Sequence, residues 1–381
     1  MLLRMEVSGT CDERFAGVRA AFEKNFDDGD ELGASFAVVH DDELVVDLWG
    51  GHIDVGRTRA WGHDTIVSVA STSKVPVSIV GLMLLDRGLI ELDEPIASYW
   101  PEFAAAGKAD IPVRQIFCHE TGVAGFDPPT SMETILGDWD TSVAQLAAQE
   151  PWWEPGSASG YHGMTYGYLI GELVRRTTHR TYDEFLRTEL TEPLHADFSI
   201  GVPERDRARV ADVESRERRV FPNGPDSLAA RVDRPLDARM VGPMPMGWLT
   251  GCNPGAVGFT NARAVATLGA VLANCGTSGG RRFLSEESVA ITAHEQRYEY
   301  DLVMEERVRW GLGFALASDE VPLPFPRSVH WGGDGGSTFA ADPDSRTSWA
   351  YTPNRFAPDR AGDARGTALG GATVRSILNL G

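Results

Sequence analysis

The segment "SVASTSKVPVSIVGLMLLDRG", residues 68–88, sets a lysine at the mouth of an otherwise apolar helix. The apolar run is interrupted by Ser71, Thr72, Ser73 and Lys74 and then resumes. Pro76 falls close to a first turn, where a missing N–H costs least, and Gly88 fits a C-cap, so a helix is predicted over 72–87. If the helix begins near Ser71, residues i and i+3 share a face, and the Ser71 hydroxyl stands over the Lys74 amine. A serine hydroxyl is a poor nucleophile until a neighbour takes its proton. Burial disfavours an ammonium, so a buried Lys74 can become that neighbour. The helix N-terminus adds backbone donors, and the N–H of Ser71 itself can face a developing oxyanion. S-x-x-K is a short pattern, and a plain Ser71 or Ser73 cap with Lys74 reaching solvent is the competing reading. The flanking β-hairpin and long apolar helix favour the chemical one.

Lysine is rare in this chain. Of 35 basic residues only Lys24, Lys74 and Lys108 are lysines, so Lys74 is not casual decoration. Codon usage in a GC-rich genome explains the bias most simply, with salt adaptation as the alternative. The net charge of −20 repels phosphate backbones and anionic headgroups, which argues against nucleic-acid and membrane partners and favours neutral or cationic substrates. The four cysteines, Cys11, Cys118, Cys252 and Cys275, lack CxxC spacing and are too sparse for a disulfide framework. With no signal-like apolar segment at the start and no membrane-length apolar run, a cytoplasmic location is expected.

Working outward, residues 12–28 read as an amphipathic helix. Residues 33–40 and 43–51 read as strands joined at Asp41-Asp42. A turn and short helix follow at 91–103. From 104 to 255 short helical patterns (142–150, 165–177, 181–190) alternate with Pro/Gly/Asp-rich loops, and strand signals are few. A long helix with Thr260 and Asn261 at its start spans 259–276. Residues 309–318, 328–343 and 347–354 read as strands, and 371–380 as a final helix. The expected organisation is an α/β unit from both chain ends, 1–105 plus 256–381, with a mostly helical unit, 106–255, inserted and the active site in the cleft between them.

The segment from Ser68 to Phe103 resembles the serine β-lactamase and penicillin-binding-protein superfamily, which carries S-x-x-K. Within it the chain looks most like class C β-lactamases and their esterase relatives, the family VIII carboxylesterases. "IFCHETGVAGF" (116–126), "YGYLIGELVRRTT" (166–178), "GFTNARAVATLGAVLANCGTSGGRRFLS" (258–285) and "WGLGFALA" (310–317) extend the resemblance over about residues 15–375. It implies an α/β fold of the β-lactamase/transpeptidase type, with an antiparallel sheet flanked by helices. It also implies that Tyr161, in "GYHG", holds the place of the Tyr-x-Asn motif and exchanges the proton between nucleophile and leaving group. A nearby Lys74 cation favours the phenolate that base work near neutrality requires. The third position is Gly163 rather than asparagine, which counts against recognition of a β-lactam amide. His162, between them, is either a pocket residue or loop filler.

The family's Lys-Thr-Gly triplet aligns with Trp331-Gly332-Gly333, followed by "DGGS" (334–337). The resemblance implies that the backbone N–H of Asp334 joins that of Ser71 as the oxyanion hole. Glycines at 332 and 333 permit close backbone approach. The lost lysine removes the cation for a β-lactam carboxylate, and Trp331 presents a flat apolar wall instead. W-G-G occurs among the family VIII esterases. Phe126 and Trp248 are candidate lining residues, with pocket walls drawn from loops in 120–165 and 220–255.

"GTSGG" (276–280) satisfies G-x-S-x-G, yet Ser278 follows a helix instead of a strand, so it reads as a turn. The nine histidines carry no metal-binding spacing, and neither metal nor organic cofactor is expected. His119-Glu120 reads as loop support. The expected activity is hydrolysis of neutral, short-chain esters through an acyl-enzyme on Ser71, with a small-molecule ester as the only partner and the oligomeric state open. The alternatives are a β-lactamase, D-amino-acid peptidase or amidase of the same fold, and an acyltransferase using an acceptor other than water.

Overall fold

A nine-stranded antiparallel sheet frames the protein, and both chain ends build it. In spatial order its strands are Val7–Cys11, Glu43–Gly51, Gly33–His40, Thr347–Pro353, Thr338–Asp342, Val329–Gly332, Ala315–Leu316, Glu306–Trp310 and Arg297–Asp301. The computed structural model describes residues 7–215, 223–233, 240–357 and 363–380. Asp41 and Asp42 both take positive φ (50° and 65°), the two-residue turn that matches strand twist, so 33–40 and 43–51 pair as a hairpin.

The strand Gly33–His40, third in that order, is buried on both faces, and its period of two sorts the core. Phe36 and Val38 point to the helices Ala16–Asp27 and Ala364–Leu378, with Phe22, Tyr351 and Leu369. Ala37 and Val39 point to the opposite side, where the helix Ala262–Ala273 packs and the larger core begins. That larger core continues into the helices between residues 96 and 200. At its centre lies the helix Lys74–Asp86, buried from Lys74 through Leu84. A helix apolar all round has to be interior. It closes as a Schellman turn: Gly88 (φ +64°) donates to the Leu85 carbonyl and Leu89 to the Leu84 carbonyl.

Several expectations need correction. The helix predicted from 72 starts at Lys74, preceded by a separate 3-10 turn, Ala70–Ser73. The single strand read over 328–343 is a hairpin that reverses at Gly333–Ser337, where Gly335 and Gly336 take φ of 95° and 100°. The strand read over 309–318 is broken after Trp310, because the Gly313 region turns away to accept a bond from Ser78 (2.7 Å). The edge strands Val7–Cys11 and Arg297–Asp301 are additional to the expected ones. The middle of the chain also holds short strands: Phe198–Ile200 joins Gly258–Thr260 and Val67–Ser68, and Val213–Ser215 joins Val241–Gly242 and Arg355–Phe356. The final helix begins at Ala364 with Asp363 as its cap, seven residues before the expected start. Among the described residues no helix is long and apolar enough to cross a membrane.

Candidate active site

The strand Val67–Ser68 delivers the chain to a strained corner. Ala70 has φ +44°, a left-handed conformation costing a residue with a Cβ about 1–2 kcal/mol. Two bonds of Ser73 hold the corner: its Oγ donates to the Ala70 carbonyl and accepts the Gly258 N–H (3.0 Å). Ser73 is thus a brace for the turn and not a helix cap. Because i and i+3 nearly eclipse in a 3-10 turn, Lys74 comes under Ser71. Ser71 is the partly exposed member of the motif and lines a cavity of about 1400 Å3, while Thr72, Ser73 and Lys74 are buried.

Lys74 Nζ lies 3.3 Å from Ser71 Oγ. Its other partners are the carbonyls of Gly163 (2.7 Å) and Gly255 (2.8 Å). Among the described residues no carboxylate pairs with it, and burial drives its pKa well below the usual lysine value. No histidine bonds Ser71, so a Ser-His-Asp arrangement is not formed among the described residues.

Tyr161 also lines the cavity, with its ring centroid 4.9 Å from Lys74 Nζ. His119 (5.2 Å) and Trp331 (5.0 Å) flank that ring. His162 does not reach the cavity. The Gly160 carbonyl can only accept, so the proton sits on His162 Nδ1 (2.6 Å), and Nε2 of the neutral ring accepts from the Thr121 hydroxyl (2.6 Å). Burial pushes the His162 pKa down to about 4, and the neutral ring is a strut under the tyrosine loop, which corrects its expected place against substrate. His119 Nδ1 accepts the His162 N–H (3.2 Å), and Glu120 pairs with Arg297 (2.5 Å).

A Cβ at Gly163 would sit 3.0 Å from Val232 Cγ1, so a side chain there would press on Val232. On the opposite wall Trp331, Gly332, Gly333 and Asp334 all line the cavity. Gly333 lies against the serine turn: its Cβ would fall 2.1 Å from the Val69 carbonyl and 3.0 Å from the Thr72 nitrogen. Ser337 Oγ bonds the Val69 carbonyl (2.9 Å) and Thr72 Oγ1 (2.9 Å), clamping the end of the strand to the corner that carries Ser71. Gly333→Ala is therefore expected to part these two walls. Turnover through Ser71 should fall by roughly 100-fold, the scale of a 1 Å misplacement, and a thermal melt should show the loss of packing.

Trp248 lines the cavity, as do Met240, Pro245 and Thr250. Phe126 does not: it is buried with its ring edge-on to Tyr168 (6.1 Å), a core position and not a wall. Of the loop 220–255, residues 220–222 and 234–239 lie outside the described residues. Ser278 is remote, with its Oγ donating to Asp42 (2.8 Å) across the end of the sheet. Among the described residues no group of histidine, cysteine and carboxylate side chains could hold a metal ion. The carbonyls that hold Lys74, the left-handed Ala70 and the Ser337–Thr72 clamp escaped sequence reading; only the turn signals in "NPGA" (253–256) and "DGGS" (334–337) pointed towards them.

A cavity-facing serine over a buried lysine, set between an apolar helix and the strands of an antiparallel sheet, defines a serine hydrolase of the β-lactamase/transpeptidase fold. Comparison with known proteins gives the family. The protein-family model described as "Beta-lactamase" matches residues 18–372, and the chain belongs to that family. It is 32% identical over 366 residues to the esterase/beta-lactamase LipL of Mycobacterium tuberculosis, covering 92% of this chain and 83% of that protein. Among solved structures it resembles a penicillin-binding-protein homologue from Caulobacter crescentus (TM-score 0.90, 36% identity, 97% of this chain and all of that one). It resembles a family VIII carboxylesterase equally well (TM-score 0.89, 37% identity, the same coverage).

Proposed function

We propose that the protein is a carboxylesterase that hydrolyses neutral, short-chain esters through an acyl-enzyme on Ser71. The observation that carries this reading is the Lys74 amine: buried, without a carboxylate partner among the described residues, and 3.3 Å from the Ser71 hydroxyl. A neutral amine keeps its two protons on the carbonyls of Gly163 and Gly255 and turns its lone pair to Ser71. Ser71 attacks the ester carbonyl as its proton passes to Lys74. The backbone N–H groups of Ser71 and Asp334 receive the oxyanion, an effect of about 3–4 kcal/mol per donor in comparable sites. Tyr161 gives its phenolic proton to the departing alkoxide and is reprotonated from Lys74. Water then cleaves the acyl-enzyme by the reverse relay. The step needs no cofactor.

Three features support an ester over a β-lactam. Val232 crowds the space beside Gly163, Trp331 replaces a cation with an apolar face, and among the described residues six acidic side chains, Asp334, Glu133 and Asp138 among them, line the cavity against two arginines, Arg307 and Arg309, a balance that disfavours an anionic substrate. The resemblance to a family VIII carboxylesterase agrees with an ester substrate, beside an equal resemblance to a penicillin-binding-protein homologue. A reducing, cytoplasmic setting belongs to the same proposal and is supported by the four free cysteines.

Nitrophenyl esters of increasing acyl length, assayed beside a chromogenic cephalosporin, test the reading. The acetate or butyrate ester is expected to exceed the cephalosporin in kcat/KM by about 100-fold or more. The reverse order makes the protein a β-lactamase. If ester product dominates when an alcohol is added at modest concentration, it is an acyltransferase.

A further inference from the structure

Tyr161 is carried by a loop, and a loop does not by itself fix a phenol to within about half an ångström. This loop is laced to the edge strand Arg297–Asp301 by side chains at alternate positions, which a strand turns to one side. Arg297 donates to the Gly156 carbonyl (2.6 Å), Glu299 accepts the Ser159 N–H (3.1 Å), and Asp301 accepts the Tyr161 N–H (2.9 Å). The Leu302 N–H adds a bond to the Ser159 carbonyl (2.9 Å). Residues 156–161 and 297–301 thus run side by side, with the last rung at the tyrosine.

Asp301 is fully buried, and among the described residues no arginine, lysine or histidine pairs with it. A buried carboxylate is costly unless its lone pairs are satisfied. Here four N–H groups satisfy it: those of Tyr161, Val303 (3.0 Å) and Met304 (2.8 Å) on Oδ1, and the indole of Trp310 (3.2 Å) on Oδ2. The Trp310 ring in turn lies 4.4 Å from His119 and 5.1 Å from Trp331, the two rings that flank Tyr161. One carboxylate therefore grips the tyrosine's backbone and, through Trp310, the aromatic wall around its ring.

We propose that Asp301 is the positioning residue of Tyr161, an inference that rests on the proton-transfer role proposed for that tyrosine. Its removal leaves substrate binding intact and displaces the phenol from the reacting atoms.

The experiment compares kcat and KM for nitrophenyl acetate, with thermal melts, in the full chain carrying Asp301→Ala, Asp301→Asn, Trp310→Phe, Asp301→Asn with Trp310→Phe, and Tyr161→Phe. Asp301→Ala is expected to lower kcat by about 100-fold while KM stays within about 3-fold. An asparagine oxygen still accepts the three backbone donors, but its amide faces the Trp310 N–H donor to donor, so Asp301→Asn should lose about 10-fold in kcat. Adding Trp310→Phe to Asp301→Asn removes that conflict and should return kcat to within about 3-fold of Trp310→Phe alone, a rescue that a general loss of stability does not give. If Asp301→Ala does not fold, the asparagine pair decides.

A folded Asp301→Ala or Asp301→Asn with kcat within about 2-fold of wild type, or losses that add in the double variant, overturns the proposal. Inactive Tyr161→Phe beside unaffected Asp301 variants overturns this inference alone. Fully active Tyr161→Phe overturns the role of the tyrosine and this inference together.

Discussion

Ser71→Ala is expected to remove ester hydrolysis almost completely, by about 10^4-fold or more in kcat, since loss of the nucleophile ends the acyl-enzyme route. The binding wall and the backbone donors survive the change, so KM should move little and the melting temperature should hold. Ser71 is partly exposed at the cavity, and its Oγ carries no bond that the corner depends on beyond the one to Lys74. The informative controls are the other serines. Ser278→Ala should leave turnover unchanged, because its hydroxyl is committed to Asp42 at the far end of the sheet. Ser73→Ala should cost stability first, because Ser73 braces Ala70 and Gly258, and any activity it loses should track the melt. A serine-reactive phosphonate should leave its adduct on residue 71. An adduct on Ser73 or Ser278, or turnover surviving in Ser71→Ala, would remove the nucleophile from the mechanism proposed above.

The sequence exposed the half of this site that rests on residue identity and near-neighbour spacing. Ser71 and Lys74 are three apart, and whether a 3-10 turn or an α-turn intervenes, the two side chains stack, so the misplaced helix start did no harm. The hairpin at Asp41-Asp42 was legible for a similar reason: strand, two turn residues, strand. What stayed hidden depends on the backbone. The Gly163 and Gly255 carbonyls that hold Lys74 come from residues with no side chain to betray them. The lacing of the tyrosine loop comes from Arg297–Asp301, a strand outside those expected, though Arg297, Glu299 and Asp301 recur with a strand's period. His162 was ambiguous because its role is decided by a carbonyl of its own loop and a threonine 41 residues away in sequence, which together take both ring nitrogens. Phe126 shows the same limit for apolar residues, since cavity wall and core are chemically alike and only the path of the chain sorts them.

Lys74→Arg is expected to be nearly as damaging as Lys74→Met, each costing about 10^2–10^4-fold in kcat/KM, the usual range for a general base. A guanidinium keeps its proton at any working pH, so it restores the charge without restoring the chemistry. The methionine variant carries the sharper test, because it joins activity to stability. In the unfolded chain Lys74 holds its proton up to about pH 10.4, whereas burial in the folded protein drives the proton off well below that. Across the window between the two values the unfolded state binds one more proton, so the stability contributed by this residue rises with pH, by about 1.4 kcal/mol per unit, and is flat outside the window. Methionine has no such dependence, and both variants share every other titrating group. The stability of wild type relative to Lys74→Met should therefore climb as pH rises from 7 towards 10, in denaturant melts run in parallel. The methionine protein compares best at the acidic end, where the lysine's desolvation weighs most against the two carbonyls that methionine leaves unbonded. A difference that stays level over that range means the folded amine keeps its proton, and an amine that keeps its proton cannot take one from Ser71.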